Sequence, residues 1–498
     1  MAEKKVIIIG AGIAGLSSGC YLQMNGYDTR IFEQHSLPGG LCTSWVRGGY
    51  HFDGCLHSFG ALKPGYRLNQ WWNEVIDLGK MEFHFPDELS RVFLEDGRLV
   101  QLHTDPDRLE DELKRIAPED CRFIEDLIRA VKHFSREYDL QLAKPIELWT
   151  PLDYFLSQFR NAPHLGFFVK WQHSIAHMTR DCRSETLKRV LNEDFFSHFP
   201  AYFMLISLAE MHKHNAGYPI GGSLQIPLKM EETYARLGGK IHYNSPVRRV
   251  DVLAGHARGV TLENGEQYEA EVVVSAADGH QTIFGMLDGR FVDQKVRQRY
   301  AEHAMWPSMV LVSLGLKRTF EREPGVINIQ LRDPFVVDEV SKLTSLPVII
   351  YNFDPTLAEE GKTCLRVILK TPGYQHWYEL RQNDPSRYEE EKSRLADALI
   401  DILDKRIGAI RDQVEVVDVA TPATFMRYTR NWKGSTQGWD WLPGLIPGTM
   451  SKTLPGLKGF YMAGQWVSPG GGVSAAFVSG RDIARIICKK DGKRFKTV

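Results

Sequence analysis

Between positions 6 and 40 the chain reads VIIIGAGIAGLSSGCYLQMNGYDTRIFEQHSLPGG, a run whose chemistry lies in glycines, backbone amides and one acid. Gly10, Gly12 and Gly15 have the G-x-G-x-x-G spacing, with Ile13 and Ala14 inside it. Gly10 permits a tight turn, Gly12 lets backbone approach a pyrophosphate, and Gly15 lets a helix pack closely on a strand. A helix starting there offers unpaired N–H groups and the positive end of its dipole to phosphates. Glu33, followed by Gln34, ends the unit where a carboxylate can accept from ribose hydroxyls. The chemistry this spacing supports is dinucleotide binding.

The elements that must position these groups are legible nearby. The β-branched residues at 6–9 predict a strand buried on both faces of a parallel sheet. Apolar Ile13, Leu16, Cys20 and Leu22 predict a helix ending near Gly26, with a second strand over 28–32. Strand, glycines, helix, strand and acid in register say far more than the glycine spacing alone. Leu37-Pro38-Gly39-Gly40 is similar to the double-glycine segment of the two-dinucleotide-binding-domain flavoproteins. Near the other end a strand runs through Tyr461 into Gly464 and Gln465. Gly470, Gly471, Gly472, Val473 and Ser474 then open a helix. That second set of backbone amides suits a flavin ring and ribityl chain. An NAD-only enzyme has no need of it, so the expected cofactor is FAD, held non-covalently.

Composition narrows the partners. The 43% hydrophobic and 25% charged content is that of a globular protein, and its length suggests more than one domain. A net charge of −1 leaves no basic field for nucleic acid. Seven scattered cysteines without a C-x-x-C pair give no metal knuckle, no disulfide framework and no redox pair of the disulfide-reductase kind, so no metal is expected and a reducing compartment fits. The first strand begins almost at once, so no signal peptide is expected, and no apolar run is long enough to span a membrane. A cytoplasmic location follows, with peripheral membrane contact left open. Residues 489–498 hold five Lys or Arg and could touch an anionic surface; a frayed, solvated tail is the alternative.

Along the chain, the expected fold is α/β. A discontinuous Rossmann-like FAD-binding domain takes residues 1–62, 215–285 and 455–498. A helical substrate or lid region occupies 63–214, and a mixed-sheet substrate domain 286–454. Two aromatic groups stand out in the helical region: Phe155, Phe159, Phe167, Phe168 and Trp171, then Phe195, Phe196, Phe199, Tyr202, Phe203 and Met204. They are either core or the lining of an apolar channel. The Asn264-Gly265 turn marks a hairpin. Residues 425–448 read as loops, in which Trp432, Trp439 and Trp441 either reach the cofactor or anchor the chain.

With those motifs placed, the chain resembles the phytoene-desaturase-type flavoproteins, which include carotenoid desaturases, carotenoid isomerases and retinol saturases. The resemblance runs in order through the first glycine motif, Pro38-Gly39-Gly40, Phe52-Asp53, Tyr218-Pro219-Ile220-Gly221-Gly222, the 272–277 strand and Ser468 to Val473. It departs at Leu41, where related chains often carry Arg or Lys, and at Gly54, which comes early. The resemblance implies cofactor contacts from Gly10, Gly12, Ile13, Ala14, Gly15, Glu33, Gln34, Gly39, Gly40, Leu41, Val247, Ala276, Asp278, Gly464, Gln465, Gly472, Val473 and Ser474. It implies a lipophilic polyene or isoprenoid substrate, desaturated, saturated or isomerised by hydride transfer at flavin N5, with an unknown electron partner. Proton movement at the neighbouring carbon would need an acid or base, for which His57 and then His212 are the candidates. A flavin amine oxidase and a non-catalytic flavin- or lipid-binding protein are the rival readings.

Overall fold

The computed structural model describes residues 3–55, 58–136, 144–192, 199–321, 323–440, 450–468 and 471–497. Three separate stretches of chain build one parallel sheet. Its strands are β1 (Lys4–Ile9), β2 (Tyr27–Phe32), β3 (Lys240–His242), β4 (Val272–Ser275) and β5 (Phe460–Met462), in the order β3-β2-β1-β4-β5. Val6, Ile7, Ile8 and Ile9 are all buried, as a strand covered on both faces must be. Helix α1 (Ile13–Met24) stops at Asn25, and Gly26 follows in the left-handed region at φ +71°. α2 (Gln225–Arg236) and the C-terminal α3 (Gly472–Lys490) cover the same side of the sheet as α1.

The two ends of the chain meet here. α1 and α3 pack so closely that a Cβ on Gly480 would overlap the Ala14 carbonyl, and Ser17 Oγ donates to the Phe477 carbonyl at 2.7 Å. The basic tail is not frayed. Lys496 N–H donates to Asn25 Oδ1 at 2.8 Å, and the Phe495 ring lies 5.8 Å from that of Tyr21. Asn25 Nδ2 donates in return to the Lys496 carbonyl at 2.9 Å, and these two hydrogen bonds and the ring contact offset the ordering entropy that the composition alone would leave unopposed.

A second, seven-stranded sheet stands beside the first. Its order is Val414–Ala420, Ser308–Leu316, Thr363–Thr371, Ser341–Ile350, Val326–Asp338, Glu88–Phe93, Leu99–His103. All neighbours are antiparallel except Val326–Asp338 against Glu88–Phe93. Residues 63–214 therefore contribute a β-hairpin to this sheet as well as helices. Alternate residues of the central strands (Val310, Val312, Leu314, Val367) pack under the helix Pro385–Ile407, and the intervening set faces the first sheet.

The aromatic groups of the helical region are mainly core. Trp171 and Met204 are buried, and Phe167, Phe168 and Tyr202 pack around Ile124, Leu127, Val131 and Leu205. Phe155 is exposed; Phe195, Phe196 and the Phe159 side chain lie outside the described residues. The Asn264-Gly265 hairpin forms with Gly265 at φ +90°. Part of the expected loop 425–448 is helical, since Phe425 belongs to Pro422–Thr429.

Candidate active site

The two sheets enclose a cavity of about 600 Å³. At its head, Gly10 (φ +96°) turns the chain out of β1 and donates its N–H to the Phe32 carbonyl at 2.8 Å. A Cβ on Gly15 would overlap the Gly10 carbonyl, so α1 can leave β1 at this angle only with glycine there. Gly12 differs. At φ −69° its backbone suits any residue, and a Cβ would meet only the Gly39 carbonyl, at 3.9 Å. The space beside it belongs to the cavity. α1 has no side-chain cap and no acid in its first turn, so its first N–H groups are left for a ligand. The double glycine is tied alongside, with Gly39 N–H donating to the Ala11 carbonyl at 2.9 Å.

Glu33 closes this cradle. Its carboxylate accepts from the N–H groups of Ala11 (2.7 Å) and His35 (2.8 Å), and burial pushes its pKa up. Two bonds leave further acceptor sites for ribose hydroxyls, since a carboxylate offers about four. Gln34 Nε2 donates to the Tyr428 carbonyl at 2.6 Å and joins the head to Pro422–Thr429.

The tail supplies the facing cradle. Gly464 (φ +101°) donates its N–H to Ser479 Oγ at 2.7 Å, and a Cβ there would stand 3.7 Å from Ala14 Cβ. α3 begins at Gly472 after Gly471, again with neither a side-chain cap nor an acid in its first turn. Two open helix N-termini thus converge on one cavity, which favours a ligand with negative charge between them. This donor set suits the pyrophosphate of a dinucleotide.

All the expected cofactor residues except Gly15 line this cavity. Gly15 acts through packing instead. Asp278 lines it too, but its oxygens are engaged: Oδ1 accepts from Gln281 N–H at 2.7 Å and Oδ2 from Trp432 N–H at 3.0 Å. Burial pushes its pKa up to about 6. Trp432 stacks on His280 at 4.5 Å, and Trp439 Nε1 donates to the Trp466 carbonyl at 3.0 Å, so both anchor the long loop. Trp441 lies outside the described residues.

The second sheet forms the floor. Met309, Leu311, Val326, Ile349 and Ile368 face the cavity from it, with Trp306 and Met286 beside them. One charged residue sits among them, Arg366, next to the loop that follows Asp53. The signal for it was present in the sequence, as a lone arginine inside the apolar run Cys364-Leu365-Arg366-Val367-Ile368-Leu369, where charge is rare unless paired.

The candidate acid–base residues fare differently. His57 lies outside the described residues, between Cys55 and Ser58, which both line the cavity. His212 is not brought to the site. It ends the helix Ala201–His212 with Nδ1 3.8 Å from Asp105 Oδ2, while Ser207 and Met211 of that helix face the cavity. One residue around a helix is about 100°, enough to turn His212 away from Met211's direction.

The flavin containing amine oxidoreductase model matches residues 13–488. The chain belongs to that family. It is an FAD-dependent oxidoreductase, and FAD is the dinucleotide that the paired cradles suit. Prolycopene isomerase 1 of an Oncidium hybrid cultivar is 26% identical over 516 residues, covering 96% of this chain and 82% of its own length. Phytoene desaturase of Phycomyces blakesleeanus is 26% identical over 527 residues, covering 99% and 86%. A solved putrescine oxidase variant shares the fold, with a TM-score of 0.62 at 15% identity over 98% of this chain and 99% of that one.

Proposed function

We propose that the protein acts on carbon–carbon bonds of a lipophilic polyene or isoprenoid, by desaturation, saturation or isomerisation. The observation that carries this reading is the floor: an apolar sheet face opposite the glycine cradles, with neither lysine nor histidine among the described lining residues. Both relatives bear the names of long unsaturated isoprenoids. An amine oxidase must receive a charged nitrogen, and the one charged side chain on this floor, Arg366, has the sign that repels it. When bound, FAD supplies hydride transfer at N5. The chain's own part is to clamp the dinucleotide between α1 and α3, exclude water with the floor, and move a proton at the neighbouring carbon. We assign that proton to His57. Two residues before it in the sequence, Cys55 donates its N–H to Asp53 Oδ1 at 2.9 Å.

Anaerobic mixing tests the reading. With oxidised and reduced holoenzyme in parallel, a polyene should bleach the oxidised flavin (desaturation), restore colour to the reduced flavin (saturation) or emerge isomerised by mass spectrometry, whereas bleaching by amines alone would establish the rival. His57→Ala should retain FAD and lose turnover by about 100-fold, the usual scale of a general acid–base group. An unchanged rate would make His57 structural.

We also infer that the helix Pro151–Lys170 rests on a lipid surface from which substrate is drawn. Leu152, Tyr154, Leu156, Leu165 and Val169 on it are all at least half exposed, an unusual apolar area on one element. Flotation with lipid vesicles should capture the protein, and Leu152→Ser with Leu165→Ser should reduce capture about tenfold at equal flavin content. Equal capture of the variant would dismiss this surface.

A further inference from the structure

Arg366 is 2% exposed and lies in Thr363–Thr371, opposite Ser313 on one neighbouring strand and Ile349 on the other. Its Nη1 donates to the Asp53 backbone carbonyl and stands 3.9 Å from Asp53 Oδ1. The Asp53 carboxylate takes its close donors elsewhere. Tyr218 hydroxyl (2.5 Å), Ser223 N–H (2.7 Å), Ser223 Oγ (2.6 Å) and Cys55 N–H (2.9 Å) all point at it. The guanidinium is therefore compensated in charge, yet Nε and Nη2 find no acceptor among the described residues. Those two nitrogens share one edge, and their parallel N–H groups form the fork that matches two oxygens of a carboxylate. An arginine present only to balance Asp53 would turn that fork on the Asp53 carboxylate. Here it is left over, with both nitrogens shut off from solvent, on a residue that borders the cavity.

We propose that the Arg366 fork receives a carboxylate at one end of the substrate, so that the substrate class is a polyene or isoprenoid acid. This rests on the reading of the cavity as a polyene site. Buried donors without partners are costly, and in an apolar wall a carboxylate satisfies them while a neutral end group leaves them unmet. The discrimination between acid and neutral analogue is correspondingly large. The fork also sets position. Two residues along the strand, or roughly 7 Å, separate Arg366 from Ile368 on the same face, so an anchored head group fixes which carbons lie over the floor.

Titrating the holoenzyme with retinoic acid and with its methyl ester, followed by the flavin absorption band, tests this. The wild-type protein should bind the acid about 100-fold more tightly than the ester. Arg366→Lys keeps a cation beside Asp53 and removes the fork. It should cut the acid's advantage to below about tenfold, with ester affinity, ligand-free flavin spectrum and flavin midpoint potential unchanged. An ester that binds as well as the acid overturns the proposal while leaving the polyene reading intact, and this comparison needs no variant. An altered ligand-free spectrum and potential with the acid preference retained overturns it as well, placing the fork on the flavin. Failure of both probes to bind overturns the proposal together with the polyene reading.

Discussion

Gly12→Val is expected to express and fold yet purify colourless, with FAD affinity lowered by on the order of 1,000-fold, about 4 kcal/mol. The reason lies in what surrounds this position. The Gly12 backbone is at φ −69°, so valine introduces no strain, and a Cβ meets nothing in the protein closer than 3.9 Å. The isopropyl group would instead fill the space where two helix N-termini and the Gly39–Gly40 turn converge. Gly15→Val is the counterpart with the opposite outcome. Its Cβ would overlap the Gly10 carbonyl, backbone that cannot move without separating α1 from β1. That variant should lose soluble expression or melt far below the wild type. Flavin absorbance per protein and thermal melting separate the two. A yellow Gly12→Val protein, or a Gly15→Val protein as stable as the wild type, would contradict the division of labour between cradle and packing.

Asp53→Ala should cost about 3–5 kcal/mol of stability, because it strips a buried ion pair of one partner. The Asp53 carboxylate and Arg366 are both buried, and Tyr218, Ser223 and Cys55 all donate to the former. Removing it leaves an uncompensated guanidinium on the floor of the cavity and orphans the Tyr218, Ser223 and Cys55 donors. The double variant Asp53→Ala with Arg366→Met should recover part of the loss, since the uncompensated charge is then gone. Denaturant midpoints of the four proteins measure the coupling. Strict additivity would show that the pair does not act as a unit.

These two expectations differ in how far the sequence reaches. Everything in the first cradle is local: a buried strand, a turn that only glycine makes, a helix start and an acid, all within residues 4–40. Backbone stereochemistry and a 3.6-residue period specify such a unit with little help from distant chain, and so the dinucleotide fold was legible at once. The tail cradle was legible for the same reason, as strand, glycine turn and helix. What linear reading could not supply was side-chain direction at long range. Asp53 and Arg366 are 313 positions apart, and only sheet register puts them together. The apolar wall came from alternate residues of the floor strands, and of the two readings open for the aromatic residues, core or channel lining, packing chose mainly the helical core. The place of His212 was decided by which side of a helix faced the cavity, and the basic tail was ordered by Asn25 and Tyr21 at the far end of the chain. Local backbone geometry is written in neighbouring residues; which side chains share a wall depends on the packing of two sheets and the helices around them.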